Sequence, residues 1–457
     1  MALTTEQARK ALIAFNRFGL GAKPGGPEDL GPNPKGRLIG ELNRAGIAAI
    51  NASNLPTYVE ACRVSQLGFE EAEMIRRREM SARIDKQMQV QIGFVERLVM
   101  FWSNHFSMTV WKVEAVRGTF GQWERDVIRK NVLGKFRTML RETMNHPAMI
   151  AYLDNDNSIG PNSQRGIEWG VGLNENLARE LMELHTVGSG GGYTEADVTA
   201  LAKILTGWSY VRGWEADNRF EGGTPQNRGQ FIYRPRWHEP GAITVMGKRY
   251  APTGKDQCEA VLLDLARSPE TAEHIAFKLV HHFITDEPTP AMVDPIKQAF
   301  LDSDGDLKAV ALALINLPEA WSLPFEKIRT PYEMTIAQYR ALGERYSLDD
   351  GWMLTEPLYA LRQMPWEAPS PKGYSDDTLT WLNPDAMRVR LDVAQFTSWA
   401  YKREYTGNAV VLARNLFNRA LSTQTSNRIA AAQAPGEYDS KNNALTILLS
   451  CPEFQRR

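Results

Sequence analysis

Apolar positions along the chain recur mostly at spacings of three and four, the period of a helix with one buried face. Over residues 69–106 this character is continuous, and Ile92, Val95, Leu98, Val99 and Trp102 form the stripe. In the first part of that stretch acids stand three to five residues ahead of Arg76, Arg77 and Arg78. Such spacing suits a solvated helix face, and the flanking acids place that reading ahead of nucleic-acid binding. The period predicts further helices over 120–133, 136–144, 174–187 and 194–205. Thr194-Glu195-Ala196-Asp197 has the spacing of a capping box ahead of Val198, Leu201 and Leu205. Ser268-Pro269-Glu270 puts proline at a first helical position, and Asp304-Gly305-Asp306 opens the apolar run 307–317.

One stretch breaks the pattern. Within 207–253, Phe231-Ile232-Tyr233-Arg234 and Ala242-Ile243-Thr244-Val245, followed by Met246-Gly247-Lys248-Arg249-Tyr250, are short runs bounded by Gly and Pro. They predict a small β-hairpin insert around residues 219–250. The expected fold is therefore mainly α, a large multi-helix globular fold carrying that insert. A weak boundary at Leu323-Pro324 divides it into a main helical domain, 1–330, and a helical C-terminal part, 331–457, packed onto the same domain. Residues 21–36 and 155–172 read as long loops, a length usually tied to function or mobility.

Composition narrows the function classes. The 457 residues carry 53 Lys and Arg against 54 Asp and Glu, a formal charge of −1. That balance gives no general attraction to nucleic acid or to anionic membranes. Cys62, Cys258 and Cys451 are too few and too scattered for a disulfide framework or a structural zinc site. No basic segment followed by an apolar run opens the chain, and no apolar stretch is long enough for membrane insertion. The expectation is a cytoplasmic chain. Walker, Rossmann, Cys-x-x-Cys-His and Gly-x-Ser-x-Gly motifs are all missing, so the sequence gives no nucleotide, NAD or c-type haem motif and leaves the cofactor unknown.

The segment 174–188 concentrates candidate chemistry. On a regular helix with Glu175 at zero, Arg179 falls at about 40°, Glu183 at about 80°, Asn176 at about 100° and Glu180 at about 140°. Three carboxylates, a guanidinium and an amide thus share one face. Leu177, Leu181 and Leu184 occupy the opposite side, and His185 lies beside them, away from Glu183. The arrangement lacks the Glu-x-x-His spacing of di-iron bundles and suits carboxylate chemistry better than metal ligation. Close carboxylates split their pKa values, one remaining an acid while the other is a base. A solvated amphipathic helix with internal ion pairs accounts for the same residues. The Ser189-Gly190-Gly191-Gly192 turn after this helix permits a tight reversal, which brings the next helix's free N–H groups to the same region to receive an anion. A plain helix-to-helix turn fits it as well.

Other signals are weaker. Asn104 and His105 end the long helix, and a histidine on an apolar face is more often buried and hydrogen-bonded than catalytic. His238-Glu239-Pro240-Gly241 lies in the insert, as a turn or as a loop over a pocket. His146, His274, His281 and His282 read as structural. Asp154-Asn155-Asp156-Asn157-Ser158 spaces oxygens as a calcium loop does, but Ile159 stands where an EF-hand needs Gly and no Glu follows at position twelve.

Several separated motifs together resemble one bacterial family, the domain of unknown function 1800. They include Asn16-Arg17-Phe18-Gly19-Leu20-Gly21, Trp102-Ser103-Asn104-His105-Phe106 and Gly160-Pro161-Asn162-Ser163. The strongest runs from Asn174 through Glu180, Glu183 and His185 to Gly188, followed by Leu205-Thr206-Gly207-Trp208. Later ones are His238-Glu239-Pro240-Gly241, Pro369-Ser370-Pro371-Lys372-Gly373 and the closing stretch Ser450 to Arg457. The resemblance covers essentially the whole chain. It implies a mainly helical fold and no established activity. It also implies genes often adjacent to a second family, number 1501, which resembles sulfatases and alkaline phosphatases and usually carries a twin-arginine export signal.

Two functions from different classes follow. In the first the chain is a hydrolase or lyase acting on glycans. Glu180 and Glu183 are then acid and base, Glu175 and Arg179 tune them, and His105 assists. Asn104, Asn176, Trp102, Trp208, His238 and Glu239 would bind substrate, since aromatic faces cover sugar C–H surfaces. Trp111, Trp169, Trp214 and Trp237 lie near the same motifs, although core packing explains most tryptophans. In the second the chain is a non-catalytic helical partner of the family 1501 protein in folding, delivery or attachment, co-exported with it. A metal-dependent oxidoreductase using His105, Glu180 and His238 requires distant segments to converge.

Overall fold

The computed structural model describes residues 3–343, 352–401, 408–434 and 439–457, apart from 52 and 66. Helices dominate, and strands are confined to two antiparallel pairs. Among the described residues no helix is long and apolar enough to cross a membrane.

The long stripe over 69–106 forms two helices, Phe69–Gln89 and Phe94–His105. The break falls at Gly93, whose φ of +90° places it in the left-handed region. Capping comes from a distant helix. The carboxylate of Glu41, in Pro34–Leu42, accepts from the backbone N–H groups of Gly93 (3.3 Å) and Val95 (2.8 Å). Those donors have no partner within their own helix, so a buried acid supplies one. Helix Phe94–His105 then runs through the centre of the molecule, and Phe94, Leu98, Phe101 and Trp102 all lie in the main core.

That core is one contiguous cluster extending from Ala11 to Phe454, so residues from both 1–330 and 331–457 pack into it. Buried arginines tie its loops together. Arg17 donates to the carbonyls of Ala320, Leu323 and Pro324, at the point where the sequence suggests a boundary. Arg340 donates to the carbonyls of Gly21, Gln87, Val90 and Gln91. The 21–36 stretch is partly helical, since Gly26–Leu30 forms a short helix and Pro34–Leu42 begins before it ends. Residues 155–172 likewise include a 3₁₀ turn, Asn155–Asn157, and a helix, Gln164–Trp169.

The insert contains two ribbons, because its strands pair differently from a single hairpin. Phe231–Tyr233 pairs with Trp208–Tyr210, and Ile243–Val245 pairs with Lys248–Tyr250. Met246 and Gly247 connect the second pair, both at positive φ (47° and 75°), as a two-residue hairpin turn requires.

Among the described residues, three helices widen into π turns, at Ile13–Phe18, Glu124–Arg129 and Leu181–His185. Each carries a buried polar side chain inward: Arg17, Glu124 with Arg129, and His185. Wide turns of this kind often mark functional segments.

Candidate functional site

The segment 174–187 is shorter and less regular than its apolar period suggests. It begins at Asn176, runs as an α-helix to Glu180, and continues as a π turn over Leu181–His185. Bonds from the residues just after it stabilise the wide turn. Thr186 Oγ1 donates to the Leu181 carbonyl at 2.6 Å, and the Gly188 N–H donates to the Met182 carbonyl at 3.0 Å. The widening carries His185 into the core, where Nδ1 lies 3.0 Å from the carbonyl oxygen of His105.

The charged face divides into two halves. Arg179 donates twice to Glu195, at 2.8 Å each, and to Glu175 at 3.3 Å. Glu175 also accepts from the Thr199 hydroxyl at 2.7 Å. These four residues fasten Asn176–Glu180 to the following helix, Glu195–Leu205. Glu180 and Glu183 behave differently. Both are partly buried, and neither has a hydrogen-bond or ion-pair partner among the described residues. Burial, and then the nearby Glu183 charge, raises the Glu180 carboxyl above its ordinary range. Tyr152 and Tyr193 flank the pair electrostatically. Burial and then Glu180 push the Tyr152 hydroxyl up to about 12, and burial and then Glu183 raise that of Tyr193. Asn176 is exposed at the start of the same helix.

The Gly188–Gly192 turn makes a close approach at one point. Gly188, with φ at +80°, lies where a Cβ would sit 2.7 Å from His274 Nδ1. The next helix opens with its capping box complete. Thr194 Oγ1 accepts from the Asp197 N–H, and Asp197 Oδ2 accepts from the Thr194 N–H at 2.9 Å.

Other sequence candidates sit elsewhere. Trp102 and Trp208 are buried in the core. His238 lies 3.0 Å through Nδ1 from the Thr206 carbonyl oxygen and 3.1 Å through Nε2 from Gln257 Oε1. Glu239 accepts from the Asn162 N–H (3.0 Å) and from Asn162 Nδ2 (2.6 Å), which joins the His238-Glu239-Pro240-Gly241 and Gly160-Pro161-Asn162-Ser163 motifs. Asp154 is paired with Lys112, and Asp156 with Arg212, so cationic side chains occupy the calcium-like loop.

Asn104 and His105 open a second polar region. The Asn104 amide clamps Tyr374, accepting from its N–H at 2.8 Å and donating to its carbonyl at 2.9 Å. A Cβ on Gly373 (φ +83°) would meet the Asn104 carbonyl oxygen at 2.5 Å. Two family-like motifs are therefore in direct contact. Beneath the clamp lies a cavity of about 80 Å³, lined among others by Asn104, Tyr332, Glu333 and Asp376.

The chain matches the model of the family described as "Protein of unknown function (DUF1800)" over residues 13–456. It belongs to the DUF1800 family. No curated protein and no solved structure matches it.

In this DUF1800 chain, sequence reasoning missed the groups around His105. Lys278, in helix Pro269–Phe283, places Nζ 3.1 Å from His105 Nδ1. His105 Nε2 lies 3.2 Å from the His185 carbonyl oxygen, and His274 Nε2 lies 3.2 Å from that of Leu184. Burial holds all three rings neutral: His105 well below the usual range, His185 at about 3 and His274 at about 4. One turn beyond Lys278, His282 is 2.6 Å from Asp376 Oδ1 and 3.1 Å from Arg97 Nη2. The signal was present as the spacing His274, Lys278, His282 on one helix face, but nothing local relates it to residues 173 positions away. A separate group, His281, Asp286 and Asp377, has the geometry to hold a cation, yet Lys327 Nζ already rests against Asp286.

Proposed function

We propose that this chain is an enzyme, a hydrolase or lyase with a glycan as its substrate class, in which Glu180 is the general acid and Glu183 the general base. The observation carrying this reading is the division of the charged face. Glu175 and Arg179 are consumed by the bonds to Thr199 and Glu195, whereas Glu180 and Glu183 are left adjacent and without side-chain partners among the described residues. A carboxyl raised by burial and by its neighbour keeps its proton for a leaving group, while the second carboxylate activates water. Tyr193, partly exposed, offers a ring near the pair, and the exposed Asn176 offers an amide for hydroxyls. The test is reducing-end release from a panel of polysaccharides by wild type, Glu180→Gln and Glu183→Gln. Wild type is expected to cleave at least one member, and each variant to lose about 100-fold or more of that rate at unchanged melting temperature. Full activity in either variant, or no cleavage by wild type, removes the proposal.

A different surface favours a second reading, a non-catalytic partner of the co-encoded family 1501 protein. Ile167, Trp169, Val171 and Trp214 are exposed by 72%, 43%, 41% and 50%. Phe220 links them, 6.1 Å from the Trp169 ring and 5.2 Å from that of Trp214. Clustered exposed apolar side chains of this kind mark interaction surfaces. Under this reading the two proteins, expressed together, co-purify and leave the cytosol together, and Trp169→Ala with Trp214→Ala abolishes both. Recovery of the chain only from cytosolic fractions when both genes are expressed defeats it.

A further inference from the structure

Arg83 carries a buried guanidinium that the fold only partly uses. It lies in helix Phe69–Gln89, its side chain is 6% exposed, and it lines the central cavity beneath the Tyr374 clamp. Its Nε donates to Glu124 at 3.0 Å, while Nη1 and Nη2 have no hydrogen-bond acceptor among the described residues. The guanidinium carbon lies 4.8 Å from the ring centroid of Tyr332 and 5.8 Å from that of Trp366, two other walls of the same cavity. Glu124 has little more to give, because Ser103, Trp366 and Arg129 also donate to it. Buried donors without acceptors are costly, so an arginine left in this state points to an acceptor that enters the cavity.

Three more polar groups lining the cavity keep an open hydrogen-bonding position among the described residues. Asp376 gives Oδ1 to His282 at 2.6 Å, and its Oδ2 has no partner. Gln363 Oε1 accepts from the Tyr332 N–H at 2.8 Å, which leaves Nε2 without an acceptor. The Ser107 hydroxyl has no partner either. The remaining charged wall residue, Glu333, is neutralised by Arg97 and Arg457, each at 2.8 Å. Arg83 and Asp376 pair with Glu124 and His282 and not with each other, so the wall presents one cationic and one anionic group at separate points. Met100, Phe120 and Met364 make the rest of the wall largely apolar. An apolar pocket with a few convergent polar groups is the usual form of a small-molecule site. The cavity is open on one side. Tyr374, Ser375 and Asp376 are partly exposed and mark the mouth, whereas Arg83, Phe120 and Trp366 are buried and form the floor.

We propose that the central cavity binds a small free amino acid, its carboxylate on the Arg83 guanidinium and its ammonium group on Asp376 Oδ2. A lone carboxylate would be repelled by Asp376 and a lone amine by Arg83; a zwitterion satisfies both. Gln363 Nε2 and the Ser107 hydroxyl supply further hydrogen bonds. A volume of about 80 Å³ suits glycine, alanine or serine and leaves no room for an aromatic side chain. Neither Glu180 nor Glu183 lines this cavity, so the site stands or falls independently of glycan cleavage.

The experiment titrates the full chain by calorimetry with glycine, alanine and serine. Propionate and ethylamine serve as the alanine analogues that each lack one charged group. Alanine is expected to bind once per chain and about tenfold or more tighter than either analogue, the usual worth of a charge-assisted hydrogen bond. Phenylalanine should not bind. Asp376→Asn keeps an acceptor for His282 and should weaken alanine about tenfold while strengthening propionate. Opposite signs for two ligands are not what a disturbed fold produces. Arg83→Gln should lose both ligands. Hydrogen exchange of wild type with and without alanine locates the site without any variant, and slower exchange is expected over 363–376. A cavity that holds only water gives no heat with any of the three amino acids at millimolar concentration, and that result overturns the proposal. Equal affinity for alanine and propionate, unchanged alanine affinity in Arg83→Gln, or protection confined to other segments overturns it too.

Discussion

His105 and His185 each hydrogen-bond the other's backbone: His105 Nε2 lies 3.2 Å from the carbonyl oxygen of His185, and His185 Nδ1 lies 3.0 Å from that of His105. Both carbonyls belong to helix ends, where intrahelical donors run out. The reciprocal pair satisfies them inside the core and fastens helix Phe94–His105 to the π turn Leu181–His185. The partly buried carboxylates Glu180 and Glu183 and the amine of Lys278 are thereby held relative to one anchor.

That anchor is a coupled unit, which a double-mutant cycle measures. Replacing either histidine by Leu leaves buried carbonyls without donors, at a cost of about 2–3 kcal/mol. Once one ring is gone the second has less to lose, so the double variant should fall short of the sum by about 1 kcal/mol. Urea unfolding of the four proteins provides the comparison. Strict additivity would mean that the two bonds form independently.

Gly373 is required for the clamp formed by Asn104. Its φ of +83° disfavours any side chain, and a Cβ would meet the Asn104 carbonyl oxygen at 2.5 Å. Gly373→Ala should therefore cost about 2–3 kcal/mol, combining left-handed strain with displacement of the Tyr374 segment. Gly172→Ala is the control, because a Cβ there meets nothing within 4 Å. A thermal melt showing equal shifts for the two would contradict the clamp.

How much of this was legible in the sequence depends on how local each cause is. Phe136–Met144 matches its apolar period residue for residue, and the Thr194 capping box forms as its spacing indicates. Both are set within one turn of chain. The π turn at 181–185 was not legible, because a 3.6-residue wheel has no place for a widening that depends on Thr186, Gly188 and the distant His105. The pairing of Phe231–Tyr233 with Trp208–Tyr210 was hidden for the same reason: the sequence marks strands and leaves their partners open. Nothing local marks Arg17 and Arg340 as buried, since carbonyls that accept from them lie some 300 positions away. Glu180 and Glu183 were visible as one face with Glu175 and Arg179. Only the bonds to Thr199 and Glu195, one helix further on, separate the free carboxylates from the engaged ones.

His146 gives a pH signature of its own. Its Nδ1 caps helix Pro147–Tyr152 by accepting from the Ala148 N–H at 3.2 Å, and burial lowers its pKa to about 3. In the unfolded chain the ring titrates near its ordinary value of about 6.5. Below that pH the unfolded state binds a proton that the folded state refuses, so this contribution to stability is complete above pH 6.5 and is lost as pH falls towards about 3. His146→Asn keeps a capping oxygen and removes the titration. Relative to the variant, wild type should lose about 1.4 kcal/mol per pH unit between pH 6 and pH 4, on top of a constant offset from altered packing. Urea midpoints for both proteins across that range check the slope. Parallel curves would place a proton acceptor at His146 that the buried site does not allow.

Arg129 and Arg179 are each paired with two carboxylates, and burial should separate their worth. Arg129 meets Glu96 in a bidentate pair (2.7 and 2.9 Å) and reaches Glu124 at 3.4 Å, all three side chains being almost completely buried. Glu124 in turn accepts from Ser103 at 2.8 Å and Trp366 at 3.0 Å, at the edge of the central cavity. Arg83 also donates to Glu124 at 3.0 Å, so removing the Arg129 guanidinium chiefly strips the desolvated Glu96 of its bidentate partner, which costs about 3–5 kcal/mol. Arg179 faces solvent with Glu195, where water and salt screen the attraction and replace the lost bonds. Arg129→Ala is therefore expected to unfold at much lower urea and to weaken further as pH rises through the carboxylate range. Arg179→Ala should remain within scatter of wild type and lose only the fastening between helices Asn176–Glu180 and Glu195–Leu205. Faster amide exchange confined to 176–180, with the core unchanged, is the pattern that distinguishes it. A large stability loss in Arg179→Ala would mean that the Glu175–Arg179–Glu195 group bears weight in the fold, and it would remove the contrast with Glu180 and Glu183 on which the catalytic reading rests.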